Sequence, residues 1–105
     1  MVRDMKTVSV HDAHKKLGAE GYCLLDVRTE AEVAAGAAPH ILNIPLDRLP
    51  AELEKLSGFD SIHVICRSGG RSAMATNFLH QQGLTHAANV EGGMLAWDEA
   101  GLPMT

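Results

Sequence analysis

Short apolar runs alternate with amphipathic stretches along the whole chain, and most junctions carry a glycine, a proline or a capping residue. Val8-Ser9-Val10-His11-Asp12 reads as a short strand running into a helix cap. Ser9 can accept from the N–H three residues on, where Asp12 suits the positive end of a helix. That helix extends to about Leu17, and Gly18 stops it. Residues 22–27 form an apolar run containing Asp26 near its end, the pattern of a buried strand. Thr29-Glu30-Ala31-Glu32 is a capping box that opens a helix to about Ala35, closed by Gly36. A third strand over 41–44 ends at Pro45, and a helix over 49–56 tolerates Pro50 in its first turn. Residues 62–65 are a fourth strand. The helix over 73–82 places Met74, Ala75, Phe78 and Leu79 on one face, and Gly83 ends it. A fifth strand over 87–90 leads through Gly92-Gly93 into a last helix with Met94, Leu95 and Trp97, closed by Gly101 and Pro103.

Strands and helices that alternate in this way predict an α/β fold: a five-stranded parallel sheet with helices on both faces, a three-layer α/β/α domain. No internal repeat, linker or low-complexity segment interrupts the pattern, so residues 1–105 read as a single domain. Function in such sheets collects at the carboxyl ends of the strands. Asp26, Cys66 and Glu91 fall at those ends.

Composition narrows the classes. A chain of 105 residues, 46% apolar and 21% charged, is long enough for one core. The net charge of −4, from 9 basic and 13 acidic residues, offers no general attraction to nucleic acid or anionic lipid. No apolar run is long enough to cross a bilayer. Met1-Val2-Arg3-Asp4-Met5-Lys6 lacks the apolar core of a signal peptide, so a free-standing cytoplasmic chain is the expectation. The two cysteines, Cys23 and Cys66, form no CxxC. Neither a zinc site nor a dithiol redox centre is expected, no cofactor is implied, and a reducing compartment suits two free thiols.

The chemistry concentrates in Cys66-Arg67-Ser68-Gly69-Gly70-Arg71-Ser72, between the fourth strand and the helix after it. A thiolate, not a thiol, is the nucleophile. Three features favour the anion here: the following helix N-terminus, backbone N–H groups aimed inward by a glycine-rich curl, and the charges of Arg67 and Arg71. In an acidic chain, two arginines beside one cysteine mark a local concentration of positive charge. Four residues separate Cys66 from Arg71. Protein tyrosine phosphatases use one residue more, which makes a wider cradle for a phosphoryl group. The tighter ring suits a single sulfur atom bonded to the cysteine.

These residues resemble the rhodanese family, over nearly the whole chain. The resemblance is carried by Leu24-Leu25-Asp26-Val27-Arg28, by Gly36 with Pro39, and by Asn43-Ile44-Pro45. It continues through the Cys66 loop, Asn89-Val90-Glu91-Gly92-Gly93, and Ala96-Trp97 with Ala100-Gly101-Leu102-Pro103. The resemblance is to a single-domain thiosulfate sulfurtransferase, and it implies sheet order 3-2-4-5-1 and a two-step reaction. Cys66 takes the outer sulfur of thiosulfate or a small persulfide, then yields it to cyanide, a thiol or a sulfur-accepting protein. The N–H groups from Arg67 through Ser72, with Ser68, Gly69 and Gly70 among them, would hold the persulfide. The side chains of Arg67 and Arg71 would steer the dianion, or Arg71 would turn inward to brace the loop. Asp26, Arg28 and Glu91 would support the loop. Mercaptopyruvate sulfurtransferases carry small and hydroxylic residues in place of these arginines, which favours thiosulfate. Ala37 stands where the family usually has histidine and His40 where it usually has glycine, changes expected at the pocket rim.

Plainer readings accompany several of these residues. Cys66 read as a structural cysteine conflicts with its loop, whereas Cys23 fits that role, with a disulfide to Cys66 as the remote option. Glu91 beside a thiolate would oppose its ionisation, so a turn residue is expected there rather than a base. His11 and His14 share a helix face without a third ligand, His40, His80 and His86 read as surface or rim residues, and His63 stands unusually inside a buried run. Trp97 is a core anchor. Two rivals to the enzyme remain: a persulfide carrier serving a protein partner, and a phosphatase or arsenate reductase on the same fold.

Overall fold

The computed structural model describes residues 6–105. Residues 1–5, part of the segment read above as lacking leader character, lie outside the described residues. Among the described residues five strands form one sheet: β1 (Thr7–Val8), β2 (Tyr22–Asp26), β3 (Ile41–Asn43), β4 (Ser61–Ile65) and β5 (Ala87–Val90). Their spatial order is β1-β5-β4-β2-β3 with every pairing parallel, which is the order expected, and β4 lies at its centre. No helix among the described residues is long and apolar enough to cross a membrane.

The helices are α1 (Val10–Lys16), α2 (Glu30–Ala35), α3 (Gly70–Gln81) and α4 (Gly93–Glu99). Ser9 ends β1 early because it already caps α1: its hydroxyl accepts from the Asp12 N–H at 3.0 Å, and the Asp12 carboxylate accepts from the Ser9 N–H. Thr29 and Glu32 make the same reciprocal box at the start of α2.

Successive strand residues serve opposite faces. On one face Leu25, Val27, Ile62 and Val64 pack with Leu49, Leu56, Ala75 and Leu79. On the other, Leu24, Ile65 and Val90 pack with Val10, Ala13, Met94 and Trp97. Both faces are covered, which is why β2 and β4 are mostly apolar, apart from Asp26 at the end of one and Ser61 and His63 in the other. Trp97 is fully buried and its indole N–H donates to the Pro103 carbonyl at 2.8 Å, while His14 meets its ring edge-on. The buried His63 is matched by Tyr22, whose hydroxyl lies 2.9 Å from Nδ1. Burial and the nearby Lys16 lower the His63 pKa, against the opposing pull of Asp12, which keeps the ring neutral in that layer.

Two expectations are corrected. The helix expected over 49–56 is a 3₁₀ segment over Leu46–Leu56 with a break in helical geometry at Glu52. Pro50 inside it has no N–H to donate, which prevents a continuous α-helical ladder. On α3 the buried stripe is Ser72, Ala75, Thr76 and Leu79, and Met74 is 63% exposed rather than on the inner face. The stripe is set by the small residues that let α3 approach the sheet. Leu95 on α4 likewise points outward.

Candidate active site

Chain direction and the parallel sheet bring the carboxyl ends of β2, β4 and β5 together, and Cys66 lies directly after the central one. The loop turns through Gly69, whose φ of 111° is a left-handed conformation that side chains disfavour. That turn points the Gly69 N–H at Cys66 Sγ, 3.1 Å away. Ser72, fully buried in the first turn of α3, places its hydroxyl oxygen 3.3 Å from the same sulfur.

Burial alone would raise the Cys66 pKa. The Ser72 hydroxyl and the backbone N–H groups of Ser72, Gly69 and Ser68 outweigh it, and the thiol is held below its ordinary value. Cys23 is the internal contrast. It is as enclosed as Cys66, at 4% against 1% exposure, yet burial pushes its pKa up to about 12. Two buried cysteines in one chain are therefore driven in opposite directions, and hydrogen bonds make the difference. Cys23 pairs in register with Ile62, four residues before Cys66 on β4. That separates the two by about 13 Å along the strand, beyond disulfide reach.

Cys66 is more enclosed than an open nucleophile, at 1% exposure. The loop is held from beneath by the start of α4. The Met94 N–H donates to the Cys66 carbonyl at 2.8 Å, and the Leu95 N–H to the Arg67 carbonyl at 3.0 Å. This contact requires glycine at Gly93: φ is 57°, and a Cβ there would collide with the carbonyls of Cys66 and Arg67. The support assigned to Glu91 belongs to that turn instead. The Glu91 side chain is exposed, and its backbone N–H donates to the Val8 carbonyl at 2.9 Å.

The two arginines part company. Arg71 turns to α2 and grips Glu32 through both guanidinium Nη atoms, at 2.7 and 2.9 Å. That pairing holds the Glu32 carboxyl down to about 2. Arg71 thus braces the loop, and much of its charge is met by Glu32. Arg67, Ser68 and Gly70 are exposed at the rim, and among the described residues no ion pair engages Arg67.

Asp26 and Arg28 also differ from expectation. Asp26 is fully buried and bound bidentately by Arg28, with Nη2 to Oδ2 at 2.8 Å. Arg28 reaches on to the Gly36 carbonyl, and Asn43 donates to the carbonyls of Asp26 and Arg28. These bonds fix the end of β2 and the turn at Gly36, and none is to residues 67–72. The link to the loop is indirect, through the Val27 N–H on the Ile65 carbonyl at 3.0 Å.

His40 has a left-handed φ of 58°, which explains why glycine suits that position. Ala37 is buried, and its carbonyl accepts from the Thr105 N–H at 2.8 Å. A groove of about 320 Å³ lined by Val27, Thr29, Pro45, Leu46, Asp47 and Arg71 opens beside the loop.

Two residues at the site were not assigned a role there from sequence. Glu32 was visible only as a capping residue, and nothing local announces a partner 39 positions away. Asn89 left a clearer trace: a polar side chain inside the apolar run Ala87-Ala88-Asn89-Val90 must find a buried partner, and it finds Ser72.

The Rhodanese-like domain model matches residues 9–100. A sulfurtransferase of Allochromatium vinosum is 34% identical, with 99% of this chain and 95% of that protein covered. Thiosulfate sulfurtransferase 16 of Arabidopsis thaliana, a chloroplastic protein, is 39% identical over 92% of this chain and 90% of its own. The crystal structure of a rhodanese-related protein from Thermoplasma volcanium superposes with a TM-score of 0.86 at 34% identity, covering 95% of this chain and 97% of the other. With its cysteine loop at the end of the central strand and these likenesses along nearly its full length, the chain belongs to the rhodanese-like family of sulfurtransferases.

Proposed function

We propose that this chain moves sulfane sulfur from thiosulfate, or a small persulfide, to a thiophilic acceptor through a persulfide on Cys66. The observation that carries the reading is the set of donors around one sulfur: the Gly69 N–H at 3.1 Å and the Ser72 hydroxyl at 3.3 Å, with the thiol pKa lowered. Cys23, equally buried and without such donors, supplies the contrast.

In the first step the Cys66 thiolate attacks the outer sulfur of thiosulfate. A new S–S bond forms, the S–S bond of the donor breaks, and sulfite leaves with the electron pair. The added sulfur extends the side chain by about 2 Å and carries the negative charge. The inward N–H groups of Ser68, Gly69 and Ser72 stabilise that charge as they do the thiolate. In the second step cyanide or a thiolate attacks the terminal sulfur, and the electron pair of the breaking S–S bond returns to Cys66. Thiocyanate or a new persulfide departs, and the starting thiolate is regenerated. Cys66 is 1% exposed, which favours a slender donor that presents one sulfur atom over a phosphoryl group. The groove flanked by Leu46, Pro45 and Arg71 gives the carbon part of a small thiol a place to lie.

The test is steady-state kinetics with both substrates varied. The reading predicts parallel double-reciprocal lines, since sulfite leaves before the acceptor enters. Intersecting lines would reject the persulfide route.

Arg67 supplies a specific check. It is the exposed cation at the mouth, while Arg71 is paired with Glu32. Arg67→Ala is expected to raise KM for thiosulfate by about three- to tenfold, with the difference shrinking as salt is added. An unchanged KM at low salt would remove electrostatic steering from the account.

A further inference from the structure

The Ser72 hydroxyl has one proton and two neighbours that ask for it. Its oxygen lies 3.3 Å from Cys66 Sγ and 2.6 Å from Asn89 Oδ1. Ser72 is fully buried and Asn89 is 8% exposed, so water does not readily fill a missing bond. With Oδ1 facing Ser72, the hydroxyl proton belongs on Asn89, and the free side of the oxygen can accept from a protonated thiol. A thiolate or persulfide anion reverses the demand: the sulfur then needs the hydroxyl proton, and two acceptors, Oδ1 and Oγ, would face each other at 2.6 Å.

Asparagine resolves this conflict by turning its amide. Nδ2 then donates to Ser72 Oγ while the Ser72 O–H donates to sulfur. Among the described residues no hydrogen bond holds Nδ2 elsewhere. We infer that Asn89 is a positioning residue whose side-chain amide, acting through Ser72, turns over with the charge on Cys66 and holds the hydroxyl proton on the anionic sulfur. Without it, Ser72 can swing back to the Gly69 carbonyl three residues earlier, which already accepts from the Ala73 N–H.

The charged groups around Cys66 are Arg67 and Arg71 of its own loop, Glu32 on α2 bound to Arg71, and the buried Asp26–Arg28 pair at the end of β2. On the β5 side Glu91 is exposed. A neutral replacement at Asn89 leaves all of these in place. Asn89→Leu keeps the branched shape and the number of side-chain heavy atoms and removes both donor and acceptor.

The inference rests on Cys66 being the nucleophile. The first readout, the rate of Cys66 alkylation by iodoacetamide across pH, needs no sulfur donor and so separates this idea from the sulfur-transfer reading. Asn89→Leu is expected to slow alkylation near neutral pH by about three- to tenfold, the worth of one hydrogen bond, with the profile displaced to higher pH. In a Ser72→Ala background the same change should leave the rate unaltered. No effect in the Ser72 protein, or an equal effect in both backgrounds, would overturn the relay.

The second readout uses the unmutated protein. The side-chain Nδ2 proton signals of Asn89 should shift downfield and exchange more slowly after alkaline titration or loading with thiosulfate, and should not respond in Ser72→Ala. Signals unchanged by alkaline titration across the Cys66 ionisation, or changed equally without Ser72, would refute it.

Discussion

Replacing Cys66 by Ser is expected to lower sulfur transfer by at least about 10³-fold, because covalent catalysis loses its only attacking atom. A serine hydroxyl in the same place would not ionise near neutral pH, and it forms no persulfide. Cys23→Ser should leave most of the turnover per folded molecule. Cys23 sits 4% exposed in the middle of β2, with its thiol pushed up to about 12 and its register partner four residues short of Cys66. Its replacement places a hydroxyl in an apolar layer, so the expected loss is in stability, about 1–3 kcal/mol. Activity assays on both variants, normalised to folded protein, check this pair. Equal loss in the two would mean that the sulfur chemistry has been assigned to the wrong cysteine, or to neither.

The second large effect is expected at a residue that carries no chemistry of its own but packs against the backbone of Cys66. Gly93→Ala should destabilise the protein by about 3 kcal/mol or more, combining a left-handed backbone with a side chain forced into a packed contact. The new Cβ would meet the carbonyls of Cys66 and Arg67, the same groups that accept from Met94 and Leu95. Relief of that clash must move either the start of α4 or the loop that aims its N–H groups at the sulfur. Folded Gly93→Ala protein should therefore also lose most of its activity. The melting temperature is expected to fall by on the order of 15 °C. Gly101→Ala is the control: φ is 71° there as well, but nothing lies within 4 Å of the added carbon. It should lose only about 1 kcal/mol, the conformational part alone. If the two variants melt together, the close approach of α4 to the loop contributes nothing.

The features that sequence makes legible are those with a local signature. Ser9 and Thr29 show their caps within three residues, the apolar runs of β2, β4 and β5 stand out, and the glycines of the Cys66 loop mark a strand-to-helix turn. Strand order is different. Its source is the likeness to a family, since no periodicity says that β1 lies beside β5. What could not be read depends on distant partners. Arg71 beside a cysteine could steer substrate or brace the loop, and only Glu32, arriving from α2, decides for the second. Asp26 and Arg28 satisfy each other so fully that little is left for the loop. Glu91 loses its supporting role because the backbone of the next residues performs it, and a backbone contact has no residue-type signal beyond the glycine that permits it. The helix expected over 49–56 begins earlier and is 3₁₀, because proline tolerance in a first turn says nothing about how the chain continues.

The enclosure of Cys66 gives the account its most exposed point. A thiolate this deep is useful only if a slender donor can reach it through the loop. Intact-mass measurement after incubation with thiosulfate asks that directly. The account predicts a gain of one sulfur atom, mapped to Cys66, absent in Cys66→Ser and removed by cyanide. No gain, or a gain found on Cys23, would contradict it.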